Sequence, residues 1–150
     1  MKPVLTIASV ISIAVVAASS SPNPAQAFPP APAGCVYLNE ITTGRPVIRK
    51  TVATNNSNAN TDFAVPTGRQ FRSYIGRLIP ENNSRFTAQV NLKYNDGSSS
   101  TAVTRTIEAR RFFMYNQPFQ TPTDRQPFQI NTRVTGNRNT AYQVAVLACP

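Results

Sequence analysis

The sequence contains no histidine and no tryptophan, only two cysteines, and only six acidic residues against fifteen Lys and Arg. The missing histidine excludes Ser-His-Asp and Cys-His nucleophile systems, HExxH zinc centres and imidazole-based proton transfer. Two cysteines far apart in sequence cannot build a structural zinc site by themselves. No Ser-x-x-Lys dyad and no Gly-rich phosphate-cradling loop occurs. What is left for catalysis is a carboxylate pair of the glycoside-hydrolase kind, drawn from Glu40, Asp62, Glu81, Asp96, Glu108 and Asp124. Asp96 belongs to a turn, and Glu108 falls on the polar side of a strand, where a Lys or Arg ordinarily faces it. Asp62 and Asp124 fall in Asn-, Thr- and Pro-rich stretches where side chains bond the backbone. Nothing in the spacing pairs any two of them. The inventory therefore points away from an enzyme, with no catalytic residue, no metal ligand and no cofactor.

Long apolar runs are also scarce. Pro3 to Ala18 is shorter than the roughly 20 residues a spanning helix needs. It follows the positive Met1-Lys2 and precedes the turn-prone Ser19 to Ala27, with small residues at Ala25 and Ala27. That order of parts is a secretory signal ending at Ala27. The expectation is a secreted or periplasmic chain beginning at Phe28, with no membrane span after cleavage. Ala33-Gly34-Cys35 imitates the end of a lipoprotein box. However, Pro32 stands where a Leu-like residue belongs, and a Pro-rich spacer separates the triplet from the apolar run. Cys35 is therefore read as the partner of Cys149 in a disulfide, as an even count in an exported chain implies.

The predicted layout is a signal at 1–27, a Pro-rich lead-in at 28–34, and one domain at 35–150 closed by its terminal disulfide. The net charge is +9, or +8 once Lys2 leaves with the signal. Such a field attracts anionic partners in a salt-dependent way. Outside the cytoplasm, acidic polysaccharide or another anionic surface fits that field better than nucleic acid does.

What is present is β-periodicity. In Arg85 to Tyr94, Phe86, Ala88, Val90, Leu92 and Tyr94 alternate with polar residues, the pattern of a half-buried strand. Asn95-Asp96-Gly97 gives a turn. Asn95 to Ser100 has too few carboxylates for a calcium loop. Thr101 to Ala109 returns with Val103, Ile107 and Ala109 on one parity. Arg105 breaks that parity and marks a bulge or the sheet margin. Pro127 to Thr135 repeats the pattern with Phe128, Ile130 and Val134 inward. Ala141 to Cys149 is apolar on both parities, as a central strand would be. Cys35 to Asn39, Pro46 to Thr54, Thr61 to Val65 and Phe71 to Ile79 complete about eight short strands, and Asn116 to Gln126 reads as a crossover loop. The fold class is an all-β antiparallel sandwich of jelly-roll or Greek-key type.

Two features carry the binding expectation. Arg110-Arg111-Phe112-Phe113-Met114-Tyr115 interleaves cations with aromatics, and as a strand it would point one of Phe112 and Phe113 outward. The polar strand parities, with Gln89, Asn91, Gln129, Asn131 and Arg133, offer amides suited to sugar hydroxyls. The candidate binding residues are Arg110, Arg111, Phe112 and Arg133. The expected function is an exported, non-enzymatic β-sandwich module that binds an acidic polysaccharide or anionic surface component. A carboxylate-dependent glycan hydrolase and a ligand-free structural envelope protein are the alternatives.

Overall fold

The structure, a computed structural model, describes residues 28–122 and 124–150. The signal reading for residues 1–27 lies outside the described residues. Among the described residues ten strands form: β1 (Val36–Tyr37), β2 (Asn39–Glu40), β3 (Ile48–Thr51), β4 (Asn60–Ala64), β5 (Ser73–Pro80), β6 (Arg85–Lys93), β7 (Ser99–Glu108), β8 (Tyr115–Phe119), β9 (Gln129–Gly136) and β10 (Ala141–Cys149). One sheet runs β1-β10-β5-β8, with β3 also on β10; the second runs β2-β4-β9-β6-β7. The antiparallel pairs nest: β6 with β7, β5 with β8, β4 with β9, β3 with β10. Successive pairs alternate between the sheets, as when one long hairpin is rolled up, and this is a jelly roll.

The alternation read in β6 is the alternation found. Phe86 and Leu92 are fully buried between the sheets, and Val90 and Tyr94 are nearly so. Phe86 meets Tyr142 of the opposite sheet edge-on, with ring centroids 6.0 Å apart. β10 is central, with β5 on one side and β1 and β3 on the other, and its residues are buried on both parities except Gln143, as its apolar sequence requires. Cys35 and Cys149 form a disulfide across a sequence separation of 114. The Pro-rich lead-in is docked: Tyr37 donates its hydroxyl to the Pro29 carbonyl at 2.7 Å and meets the Phe28 ring edge-on.

Three local expectations need correction. Asn116 to Gln126 is not all loop, because β8 occupies Tyr115–Phe119. Its Pro118 lacks an amide hydrogen, which is tolerated because β8 is an edge strand. The sheet crossing begins only after Phe119, whose buried ring stacks on Tyr74 at 5.4 Å. Phe128 is not inward but 41% exposed. It precedes β9, and its backbone is held from both sides, donating to the Lys93 carbonyl and accepting from the Val65 amide. Arg110 to Tyr115 is not one strand; 110–114 turn, with Phe112 at φ 61°, and only Tyr115 is in a strand, as the first residue of β8.

Tyr74 and Tyr142 are the largest fully buried side chains, and their hydroxyls meet no hydrogen-bond partner among the described residues. Burial, helped at Tyr74 by the nearby Tyr94, pushes both phenols up to about 12. Unfolding returns them to the ordinary tyrosine range near about 10. The folded values are the higher ones, so this contribution to stability is complete below the unfolded value and is lost as pH rises from there toward 12. Ultraviolet titration of the folded protein should show two tyrosines resisting ionisation until about pH 12. Their ionisation near pH 10 with the fold intact would contradict this.

Candidate functional site

Because β6 turns Phe86, Val90 and Leu92 inward, its Arg85, Thr87, Gln89, Asn91 and Lys93 must face outward. The register extends that rule across the second sheet. Gln89 lies between Thr104 and Arg133, with Asn60 beyond; Asn91 lies between Thr101 and Asn131, with Asp62 beyond. The outer face of β7, β6, β9 and β4 is therefore polar across both of these rows.

Its central row is a hydrogen-bonded ladder. Thr101 donates its hydroxyl to Asn91 Oδ1 at 2.9 Å, and Asn91 Nδ2 donates to Asn131 Oδ1 at 3.2 Å. Asn131 Nδ2 donates in turn to Asp62 Oδ1 at 2.9 Å, where Lys93 Nζ also arrives at 3.4 Å. Four strands at roughly 4.8 Å spacing make this row about 14 Å long. The chain of bonds fixes each amide's orientation, yet each amide has two donors and two acceptor lone pairs, so capacity for a further partner is left over. Two rows on, past Gln89 and Arg133, Thr87 and Thr106 share a hydroxyl hydrogen bond at 2.9 Å. Beyond them Arg85 pairs with Glu108 at 2.5 Å, the cross-strand cation expected for Glu108.

The face is close to neutral because its ionic groups are paired. Arg133 is the exception: it is exposed, and among the described residues it forms no ion pair and no side-chain hydrogen bond. An unpaired guanidinium set among oriented amides can receive a carboxylate with two parallel hydrogen bonds.

The other sequence-predicted residues lie elsewhere. Arg110, Arg111 and Phe112 sit in the β7–β8 turn, on an element that does not pair with the β9 strand carrying Arg133. The turn is latched to the β5–β6 hairpin. Ala109 donates to the Ser84 carbonyl, Arg111 to Asn83 Oδ1 and Phe112 to the Pro80 carbonyl, at 2.8, 2.7 and 2.7 Å. The Phe112 ring is half-buried beneath the Arg111 guanidinium at 4.5 Å. Phe113 is the outward ring, 52% exposed and edge-on to Tyr115 at 4.9 Å. Of the ladder's charged members, Lys93 is not foreseen as a site residue, and Asp62 is weighed only as a catalytic carboxylate and then read as bonding the backbone. Asp62 shares the outward parity of β4 opposite the buried Phe63, so the alternation within Thr61 to Val65 carried the signal.

A cavity of about 300 Å³ beside β2 and β4 is lined by Glu40, Lys50 and Asp62. Two carboxylates therefore line one cavity, and a hydrolase would need one of them to carry a proton. Glu40, however, accepts hydrogen bonds from the Thr42 amide at 3.0 Å and from the Thr43 amide and hydroxyl at 2.7 Å each. Burial pushes its carboxyl up, but the Thr43 and Thr42 bonds outweigh burial and hold it below the usual carboxylate value. A carboxyl kept ionised has no proton to give a leaving glycosidic oxygen. Asp96 is likewise committed to its turn: it accepts from the Ser98 amide at 2.9 Å and the Ser98 hydroxyl at 2.5 Å, and pairs with Arg125 at 3.0 Å.

The pairing and the polar outer face together define a jelly-roll β-sandwich with one broad hydrogen-bonding surface. No protein-family model matches the chain, and neither does any curated protein. Among solved structures it is similar to variants of CBM29-2, described as a family 29 carbohydrate-binding module. One is 6% identical at a TM-score of 0.46, covering 79% of this chain and 92% of that one. Another is 9% identical at 0.45, covering 77% and 71%. The VP2 subviral particle of infectious bursal disease virus is 16% identical at 0.32, covering 69% and 32%. These likenesses are distant, and the fold class rests on the strand pairing itself.

Proposed function

We propose that this chain is an exported, non-enzymatic module that binds an acidic polysaccharide on the outer face of β7, β6, β9 and β4. The observation that carries the reading is the Thr101–Asn91–Asn131–Asp62 ladder, whose oriented amides flank the unpaired Arg133. Amides with spare donors and acceptors match the paired donor and acceptor character of sugar hydroxyls. Arg133 supplies the charge that tells a uronate from a neutral sugar. The net charge of the chain adds a diffuse attraction that salt screens. Export rests on the signal pattern of residues 1–27 and is compatible with the Cys35–Cys149 disulfide.

Isothermal titration of the chain beginning at Phe28 with a uronic-acid oligosaccharide and a neutral glucose oligomer of equal length tests this. The acidic chain should bind at least about tenfold more tightly, in line with a charge-assisted bond. Arg133→Gln should erase that preference. Asn91→Ala with Asn131→Ala should weaken both ligands, with a melting curve recorded because Asn131 is only 6% exposed. No binding of either oligosaccharide would overturn the reading. Loss of affinity in Arg110→Ala with Arg111→Ala, but not in Arg133→Gln, would move the site to the β7–β8 turn.

A further inference from the structure

β7 and β8 end their respective sheets, so the sandwich is open along one side. There a cavity of about 50 Å³ runs in between the sheets. Its walls are apolar: Leu78, Val90, Val103, Ile107, Val134 and the Tyr115 ring. Gly76 adds room, since a strand residue of inward parity here contributes no side chain. Two arginines belong to the lining: Arg77 has the outward parity of β5 and is committed to Asn116 Oδ1 and the Tyr37 hydroxyl, whereas Arg105 is the residue that broke the β7 parity in the sequence. Its exposed guanidinium spans the mouth from β7 to β8. It lies 5.9 Å over the Tyr115 ring, with long contacts of 3.5 Å to the Asn116 carbonyl and 3.4 Å to Gln117 Oε1. Among the described residues no carboxylate pairs with it.

An inward-parity arginine at the open edge of an apolar cavity is a cation with an apolar slot beneath it. We propose that this slot binds a short-chain anionic amphiphile, an acyl carboxylate. The tail enters between the sheets and the carboxylate takes two hydrogen bonds from Arg105. An engineered apolar cavity of roughly 150 Å³ holds benzene. The smaller volume here limits the buried tail to a few carbons, with the rest in the open mouth. The site lies on the inner side of the second sheet, opposite the amide ladder, so it stands or falls independently of the polysaccharide reading.

The test is a calorimetric and methyl-NMR titration of the chain beginning at Phe28 with butanoate, pentanoate and hexanoate, and with hexanol. Affinity should rise about fourfold per added methylene until the slot is filled, the transfer value for a buried CH₂. Shifts should centre on the Leu78, Val103 and Ile107 methyls. Hexanoate should exceed hexanol by about tenfold, and Arg105→Gln should remove that advantage while hexanol still binds. Gly76→Val should abolish both. A Cβ at Gly76 meets only Gln117 O at 3.7 Å and Phe119 Cε1 at 3.9 Å, so the filled variant should fold. Should it not, Ala88→Val fills the same cavity from β6. Affinity independent of chain length, hexanoate binding unchanged in Arg105→Gln, or binding that survives the filled cavity would each overturn the proposal. Unaltered oligosaccharide binding in these variants would place the two sites apart.

Discussion

Reduction of the Cys35–Cys149 disulfide should lower the melting temperature by roughly 10–20 °C. The bond spans 114 positions, nearly the whole described chain. Closing so long a loop removes entropy from the unfolded chain worth about 4–5 kcal/mol in the chain-entropy model. The folded state offers little to replace it at this place. β1 is two residues long and pairs with β10 only through Val36–Ala148 and Tyr37–Leu147. Beyond that pairing, the Leu38 amide reaches the Val146 carbonyl at 2.8 Å. Without the bond β1 is free to fray, and with it goes Tyr37, whose hydroxyl and ring face the buried Arg77. Scanning calorimetry with and without reductant, together with a Cys35→Ala, Cys149→Ala variant, measures the effect. Peptide mapping of exported protein should recover the linked pair in a chain that begins at Phe28. A melting temperature that does not move on reduction would contradict the expectation. Hydrogen exchange should show β1 losing protection first, since a short edge strand is where local opening starts.

What the sequence made legible was whatever one strand determines alone. β6 declared its inward face because five apolar residues alternate with polar ones, and Asn95-Asp96-Gly97 declared the hairpin to β7, with Gly97 at φ 84°. Arg105 announced an irregularity, and the structure holds both of its readings. Val90 faces Val103 and Asn91 faces Thr101, so Ala102 is the extra residue of a bulge, and Arg105 stands on the open margin. What stayed hidden depends on contacts distant in sequence. β8 was lost because Pro118 and its polar neighbours look like loop unless the strand is known to be an edge. The basic-aromatic run turns before Tyr115 because its Arg111 and Phe112 amides are claimed by the β5–β6 hairpin, 28 residues earlier in the case of Arg111 and Asn83. Arg133 and the outward amides were named individually from parity. Their union into a ladder needed the register of β7, β6, β9 and β4, which no local pattern encodes.

Phe86→Ala should cost about 3–5 kcal/mol, the usual toll for emptying a large aromatic site in a core. Phe86 is fully buried, and its ring packs against Tyr142 of the other sheet. Its neighbour in the register is Gly136, at the end of β9. A Cβ on Gly136 would lie 2.9 Å from Phe86 Cδ1, 3.1 Å from Cε1 and 3.4 Å from the Arg85 carbonyl oxygen. The ring therefore lies across the bare glycine backbone, in the way an aromatic covers a glycine in a neighbouring strand. Gly136→Ala should force the ring off its position and cost about 1–3 kcal/mol by overpacking. The two losses share one cause, so they should not add. With the ring removed, the new methyl has room, and the double variant should be nearly as stable as Phe86→Ala alone. Urea denaturation of the wild type, both single variants and the double variant closes the cycle. Additive losses would mean that Gly136 is required for some reason other than the ring above it.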